Sequence, residues 1–167
     1  MKITLHGAAG GEVTGSAYLI QTKSANVLLD FGMFQGAGKI ENQNQLPKVE
    51  GVRRLDAVVL THAHLDHTGR LPLLTRVGYK GPIYATPATI ELTNLILRDS
   101  ANLQRSDAER ENRRRSRTGR PLIEPLYTQE DVEKIWPLLK PMPYAKPLTV
   151  ADGINIRAVE AGHMFGS

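Results

Sequence analysis

Residues 55–69 read LDAVVLTHAHLDHTG, and no other stretch of the chain narrows the fold as much. Leu55–Thr61 is a run of apolar and β-branched residues, the signature of a buried strand. His62, His64, Asp66 and His67 follow it without a break. A buried strand needs layers packed on it, and helical patterns alternate with strand patterns along the rest of the chain. That combination predicts an α/β layered fold.

The other elements follow from local signals. Lys2–His6 predicts a short strand and Gly7–Gly11 a glycine-rich turn. Ser16–Gln21 and Asn26–Asp30 predict two more strands joined by a turn at Thr22–Ala25, a β-meander opening. Residues 32–50 are polar and rich in Gln and Asn, which predicts a loop with at most a short helix. Leu71–Arg76 reads as a short helix and Pro82–Ala85 as a strand. Thr86 and Pro87 then start a helix, as N-cap and first helical residue. Ile90, Leu92, Leu95, Ile96 and Leu97 give it an apolar face as far as about Asp99, with room to continue into an arginine-rich segment. Thr128–Asp131 starts another helix, with Ile135 and Trp136 on its apolar side and Pro137 to end or kink it. Met142–Tyr144 and Ile154–Val159 predict late strands.

The histidine spacing carries chemistry. In extended backbone, residues i and i+2 point to the same side, so His62 and His64 can grip one metal ion together. Asp66 and His67 come as the chain turns, and their adjacency lets both face a second metal. The chain has no cysteine, so the donors must be N and O, a set that suits Zn²⁺. A lone histidine is more often a satisfied or surface side chain than a ligand. Here three fall within six residues, which favours metal. His163 follows Ile154–Val159 as His62 follows Leu55–Thr61, so two strand ends can converge and His163 is the natural third ligand of the first metal. His6 reads as structural. Asp30, at a strand end, is either a turn residue or a group that orients the metal loop. Gly10–Gly15 precedes a strand pattern rather than a helix, which excludes a nucleotide cradle. It lets backbone pass close to the metal site or a substrate.

Absence of cysteine also excludes disulfides and a thiol nucleophile. Met1–His6 has no long apolar stretch, which predicts no signal peptide, and no apolar run approaches the ~20 residues that span a bilayer. The expectation is a cytoplasmic protein with no membrane partner. The net charge is +4, and Arg105–Arg120 accounts for all of it, with seven arginines against Asp107, Glu109 and Glu111. That segment is either an RNA-facing patch or a solvated face whose charges pair locally.

The histidine loop after a buried strand resembles the metallo-β-lactamase superfamily. Gly7–Gly15, LLDFGMFQG at 28–36, THAHLDHTGRLP, GPIYATPAT, LRDS at 97–100, EPLYT at 124–128 and the closing AGHMFGS resemble its β-CASP branch of RNA-processing nucleases. The resemblance implies the N-terminal portion of a metallo-β-lactamase αββα sandwich. It implies a helical insertion at about 87–140, with the β-CASP domain and the C-terminal half of the core beyond this chain. It further implies His62, His64 and His163 on one zinc, Asp66 and His67 on another, Asp30 as the early motif aspartate, and a metal-bridging hydroxide as nucleophile. Asp66 and Asp30 are therefore the catalytic candidates. Two zincs belong to the complete family site and one is expected here, with RNA as the partner. The family's remaining ligands lie past Ser167, so residues 1–167 alone are expected to be inactive or nearly so. Other readings are a thioester or lactone hydrolase of the same superfamily, or a non-catalytic metal- or RNA-binding fragment. Oligomeric state stays open, a homo-oligomer included.

Overall fold

The computed structural model describes residues 1–9, 13–36, 44 and 54–167. Gly10–Glu12 of the glycine run and most of the polar 32–50 segment therefore lie outside the described residues.

Six strands form the main sheet: β1 (Lys2–Gly7), β2 (Ala17–Gln21), β3 (Asn26–Leu29), β4 (Ala57–Val59), β5 (Ile83–Ala85) and β6 (Leu139–Pro141), in that spatial order. The first three are antiparallel, the expected meander, and β3 through β6 pair in parallel. Short helices α1 (Leu65–Thr68) and α2 (Leu71–Arg76) connect β4 to β5. A long helix, α3 (Pro87–Arg117), and a short one, α4 (Gln129–Glu133), connect β5 to β6. A hairpin of β7 (Pro147–Ala151) and β8 (Ile154–Arg157) makes a second sheet.

Period-2 alternation in β4 explains the layering. Val58 and Leu60 face the helices, in a core with Leu28, Leu71, Leu74, Ile83, Leu97, Tyr127 and Ile135. Ala57 and Val59 face the other way, into a second cluster with Val27, Met142 and Val150 that the hairpin covers. Within the run 55–61, only Ala57–Val59 form the strand, shorter than expected, and it is sandwiched on both faces, as parallel strands are.

Four expectations need correction. The buried stripe of α3 is Thr89, Thr93, Leu97, Ser100, Ala101 and Ala108, while Leu92 and Ile96 are only half-buried and Leu95 is 65% exposed. Of the expected face only Leu97 is fully buried, and the small or hydroxylic Thr89, Thr93, Ser100 and Ala101 fill the rest of the contact. The helix does continue past Asp99 into the arginine segment, as the sequence allowed. Beyond the core it is held by the returning chain: Asn112 bonds both backbone groups of Ile123, Arg115 donates to the Pro121 carbonyl, and the Tyr127 hydroxyl donates to Ser100 Oγ. Trp136 is about half-exposed, because α4 stops at Glu133 and only Ile135 turns inward. The strand expected at Met142–Tyr144 lies three residues earlier, at β6, so the helical segment ends before Leu139. β6 is an edge strand, where Pro141 removes no needed hydrogen bond. Finally, β7 has no counterpart among the expected strands, and β8 stops at Arg157 rather than Val159.

Candidate metal centre

The histidine loop is braced by a second segment. Beside residues 65–70 runs the chain from Asp30 to Met33, and the two exchange backbone hydrogen bonds: Phe31 N–H to the His67 carbonyl (2.8 Å), Met33 N–H to Leu65 (2.9 Å) and Arg70 N–H to Phe31 (2.9 Å). Ser16 N–H donates to the Asp66 carbonyl and Gly32 N–H to the Ser16 carbonyl, closing the brace. Gly32 has no room for a side chain, since a Cβ there would sit 1.5 Å from the Asp66 carbonyl oxygen. Beneath the brace lies Arg70, fully buried. Its guanidinium donates to the carbonyls of Gly32 and Gly15 and stacks over the rings of Phe31 and Phe34. Burial lowers its pKa to about 10, which still leaves it charged at neutral pH. What Gly15 approaches closely is the Phe34 ring, so the described part of the glycine run serves this packing rather than the histidines.

Asp30 is the hub of the polar network. It is buried and holds a left-handed backbone at φ +56°. Its Oδ1 accepts from Thr61 N–H (2.8 Å), and its Oδ2 accepts from the Thr61 hydroxyl (2.8 Å) and from His67 Nδ1 (2.7 Å). With its proton committed to Asp30, Thr61 Oγ1 accepts from His62 Nδ1 at 3.0 Å. One carboxylate therefore fixes two imidazoles, His67 directly and His62 through Thr61. Both then carry the proton on Nδ1 and present Nε2. His67 Nε2 faces Asp66 Oδ2 at 3.7 Å.

His163 is held from the other side. In the turn Gly162–Ser167, Ser167 Oγ accepts from the N–H groups of His163 and Met164, and the Tyr144 hydroxyl donates to the Ser167 carbonyl. The Gly166 carbonyl accepts from Thr86 Oγ1 (2.7 Å) and Thr89 Oγ1 (3.0 Å), the cap and first turn of α3. Gly166 sits at φ +88° with no space for a Cβ against Thr86 and Thr89.

These supports bring three imidazoles together. One nitrogen from each of His62, His64 and His163 lies within 4.8 Å of the others, and His163 Nε2 is 3.2 Å from His64 Nδ1. Tetrahedral zinc with ~2.0–2.1 Å bonds needs nitrogens roughly 3.4 Å apart, so small side-chain adjustments satisfy the ion. The donor set is all imidazole, and His62 is kept neutral as a ligand must be. Burial, then the nearby His67, lowers its pKa to about 4, against an opposing pull from Asp30. The His67 pKa is lowered by burial but raised more by the hydrogen bond and charge of Asp30, with help from Asp66, so the net shift is upward. An apolar cavity of about 620 Å³ opens beside His62 and His163, lined by Leu29, Val59, Met142, Tyr144 and Ile156.

The geometry thus joins His62, His64 and His163 in one cluster, sets Asp66 and His67 side by side next to it, and puts Asp30 behind both. His6 is outside the cluster; its Nε2 is buried without a hydrogen-bond partner among the described residues, and burial and Arg70 lower its pKa. Sequence reasoning missed Thr61, Arg70, Tyr144, Ser167 and the Thr86–Thr89 clamp. Only Thr61 had a signal, its place directly before His62. The arginine segment lies along the C-terminal part of α3, at the opposite end from Thr86. No helix among the described residues is long and apolar enough to cross a membrane.

The sequence pattern of the metallo-beta-lactamase superfamily matches residues 10–156. "Ribonuclease TTHA0252" of Thermus thermophilus is 41% identical over 167 residues, all of this chain and 34% of that protein. "Transcription termination factor FttA" of Cenarchaeum symbiosum is 34% identical over 171 residues, covering 99% of this chain and 24% of its own. FttA of Pyrococcus horikoshii is 34% identical over 164 residues, with 93% and 23% covered. The chain spans only 23–34% of the length of these relatives. The metallo-beta-lactamase fold protein YhfI of Bacillus subtilis aligns with a TM-score of 0.44 at 23% identity, over 88% of this chain and 48% of that one.

Proposed function

The chain belongs to the metallo-β-lactamase superfamily, and from that premise we propose that its histidine cluster holds zinc as part of a ribonuclease-type hydrolase of the β-CASP branch. The observation that carries this reading is the convergence of His62, His64 and His163 from two distant parts of the chain. The 41% identity to a ribonuclease along the entire chain supports RNA as the substrate class. When bound, zinc supplies Lewis acidity and activates water for attack on a phosphodiester at neutral pH.

The chain's own residues do the positioning. Asp30 and Thr61 hold His62 and His67 in one tautomer, and the Gly166 clamp holds His163. His62, His64 and His163 would hold the first ion, which would still have room for a water ligand. Asp66 and His67 offer two donors for a second ion, a weak site without further ligands. The proposal therefore assigns this chain a partial metallo-β-lactamase domain whose full activity needs more residues than these.

Zinc titration followed by calorimetry tests it. One tightly bound zinc is expected, lost in His62→Ala, with little metal-dependent RNA cleavage by residues 1–167. No bound zinc would sink the metal assignment, and two tight zincs would refute the reading of the site as partial. Efficient hydrolysis of a thioester or lactone in place of RNA would move the chain to another part of the superfamily.

A further inference from the structure

Seven of the chain's thirteen arginines and none of its eight lysines fall in Arg105–Arg120. Three of the seven are neutralised within α3: Arg105 with Glu109, Arg110 with Asp107 and Arg115 with Glu111. Arg113, Arg114, Arg117 and Arg120 have no ion pair among the described residues, and all four are exposed. Arg113, Arg114 and Arg117 fall within an arc of about 100° on α3, and Arg120 follows just past its end. The buried side, through Ala101 and Ala108, faces the opposite way. The stripe therefore lies on the exposed side of the helix, with Arg114 at the edge of a groove that Ile123 and Glu124 of the returning chain also line.

We propose that this stripe docks the phosphates of single-stranded RNA. The anion-binding surface follows from the charge, while the choice of RNA as partner rests on the ribonuclease-type reading above. Use of arginine without lysine suits bidentate capture of phosphate. Helix-dipole stabilisation accounts for cations in the last turn only, and is worth a few tenths of a kcal/mol each. It explains neither Arg113 nor the single stripe.

Placement gives the stripe a consequence. The start of α3 meets the His163 turn at Thr86, and Ile96 lines a surface groove with Leu65, beside His64. At 1.5 Å per residue, Arg113 lies about 25 Å along the helix from Ile96 and about 40 Å from Thr86. A strand that touches both the arginines and the histidines spans about 7 to 12 stacked nucleotides at ~3.4 Å each.

The test is fluorescence anisotropy of a labelled 12-nucleotide oligouridylate with the full chain in EDTA, so that no cleavage intervenes. Four phosphate contacts on a single strand contribute a slope of roughly −2.8 in log affinity against log salt, or about 50-fold between 50 and 200 mM. The variant R113A/R114A/R117A/R120A should lose that share of affinity and slope, with unchanged circular dichroism and zinc stoichiometry; alanine favours the helix. Unchanged RNA affinity and slope would overturn the proposal. So would a lower melting temperature with RNA binding intact, which assigns the arginines to helix stability, or tighter binding of the wild-type chain to phosphatidylserine vesicles than to RNA. Because cleavage is not read, a stripe that fails leaves the hydrolase reading standing, and a hydrolase reading that fails leaves the stripe measurable.

Discussion

Replacing Asp30 by asparagine isolates the charge at the hub of the site. Asparagine keeps the shape, tolerates the left-handed φ of +56°, and still offers an oxygen to Thr61 N–H. Its amide nitrogen, however, stands where Oδ2 accepted from both the Thr61 hydroxyl and His67 Nδ1, so donors now face a donor. Two hydrogen bonds to a buried charge are worth about 1.5–3 kcal/mol each. Rotation of the Thr61 hydroxyl and a tautomer change at His67 recover part of that, which leaves a net loss of about 3 kcal/mol. In a chain of this size the melting temperature falls by roughly 6–12 °C. Thermal unfolding of the metal-free protein reads this directly, and a second signature comes from pH. The folded His67 pKa is raised above its unfolded value near 6.5. Its contribution to stability is therefore complete below that value and fades as pH rises through the folded pKa. Asp30→Asn removes the larger raising influences and leaves burial opposed only by Asp66, so the stability advantage at low pH shrinks. A variant that melts within 2 °C of wild type, with the same pH dependence, would refute the idea that Asp30 organises the site.

Two further outcomes are expected. Gly32→Ala drives a Cβ into the Asp66 carbonyl, a clash with backbone that no rotamer relieves, so urea unfolding should show a loss of at least about 3 kcal/mol; wild-type stability would mean that the brace can shift. Thr86→Ala removes the helix cap and one of the two hydroxyls on the Gly166 carbonyl. It should lower stability by about 1–2 kcal/mol and weaken zinc roughly tenfold by loosening His163, and unchanged zinc affinity would show that the clamp does not position that histidine.

Much of this architecture was legible because the signals were local. Leu55–Thr61 announces a buried strand, Thr86-Pro87 announces a helix start, and Leu71–Arg76 is a helix with the bounds its pattern predicts. The histidine spacing identified the candidate donors because adjacent residues on one loop can be placed by strand geometry alone. Illegible features depend on partners far away in sequence. Nothing local distinguishes Arg70, buried under Gly15 and Gly32, from a surface arginine. The α3 core face was misread for a related reason: Leu95 looks like core by composition, yet the helix needs close approach, which Thr89, Thr93 and Ala101 permit. Pro147 and Pro141 hid two strands, since proline argues against a strand unless its place at an end or edge is known.

The Gly166 clamp joins residues 80 apart, and the His64–His163 pair spans 99. During synthesis at ~5–20 residues per second, the strand-end histidines emerge about 5–20 seconds before the third imidazole. For that interval the nascent chain has only a two-imidazole site. The centre completes itself only once the α3 cap exists to receive the Gly166 carbonyl. Assembly of the three-imidazole cluster is thus tied to the folding of the helical segment, and a chain that misplaces that helix leaves His163 apart from its two partners.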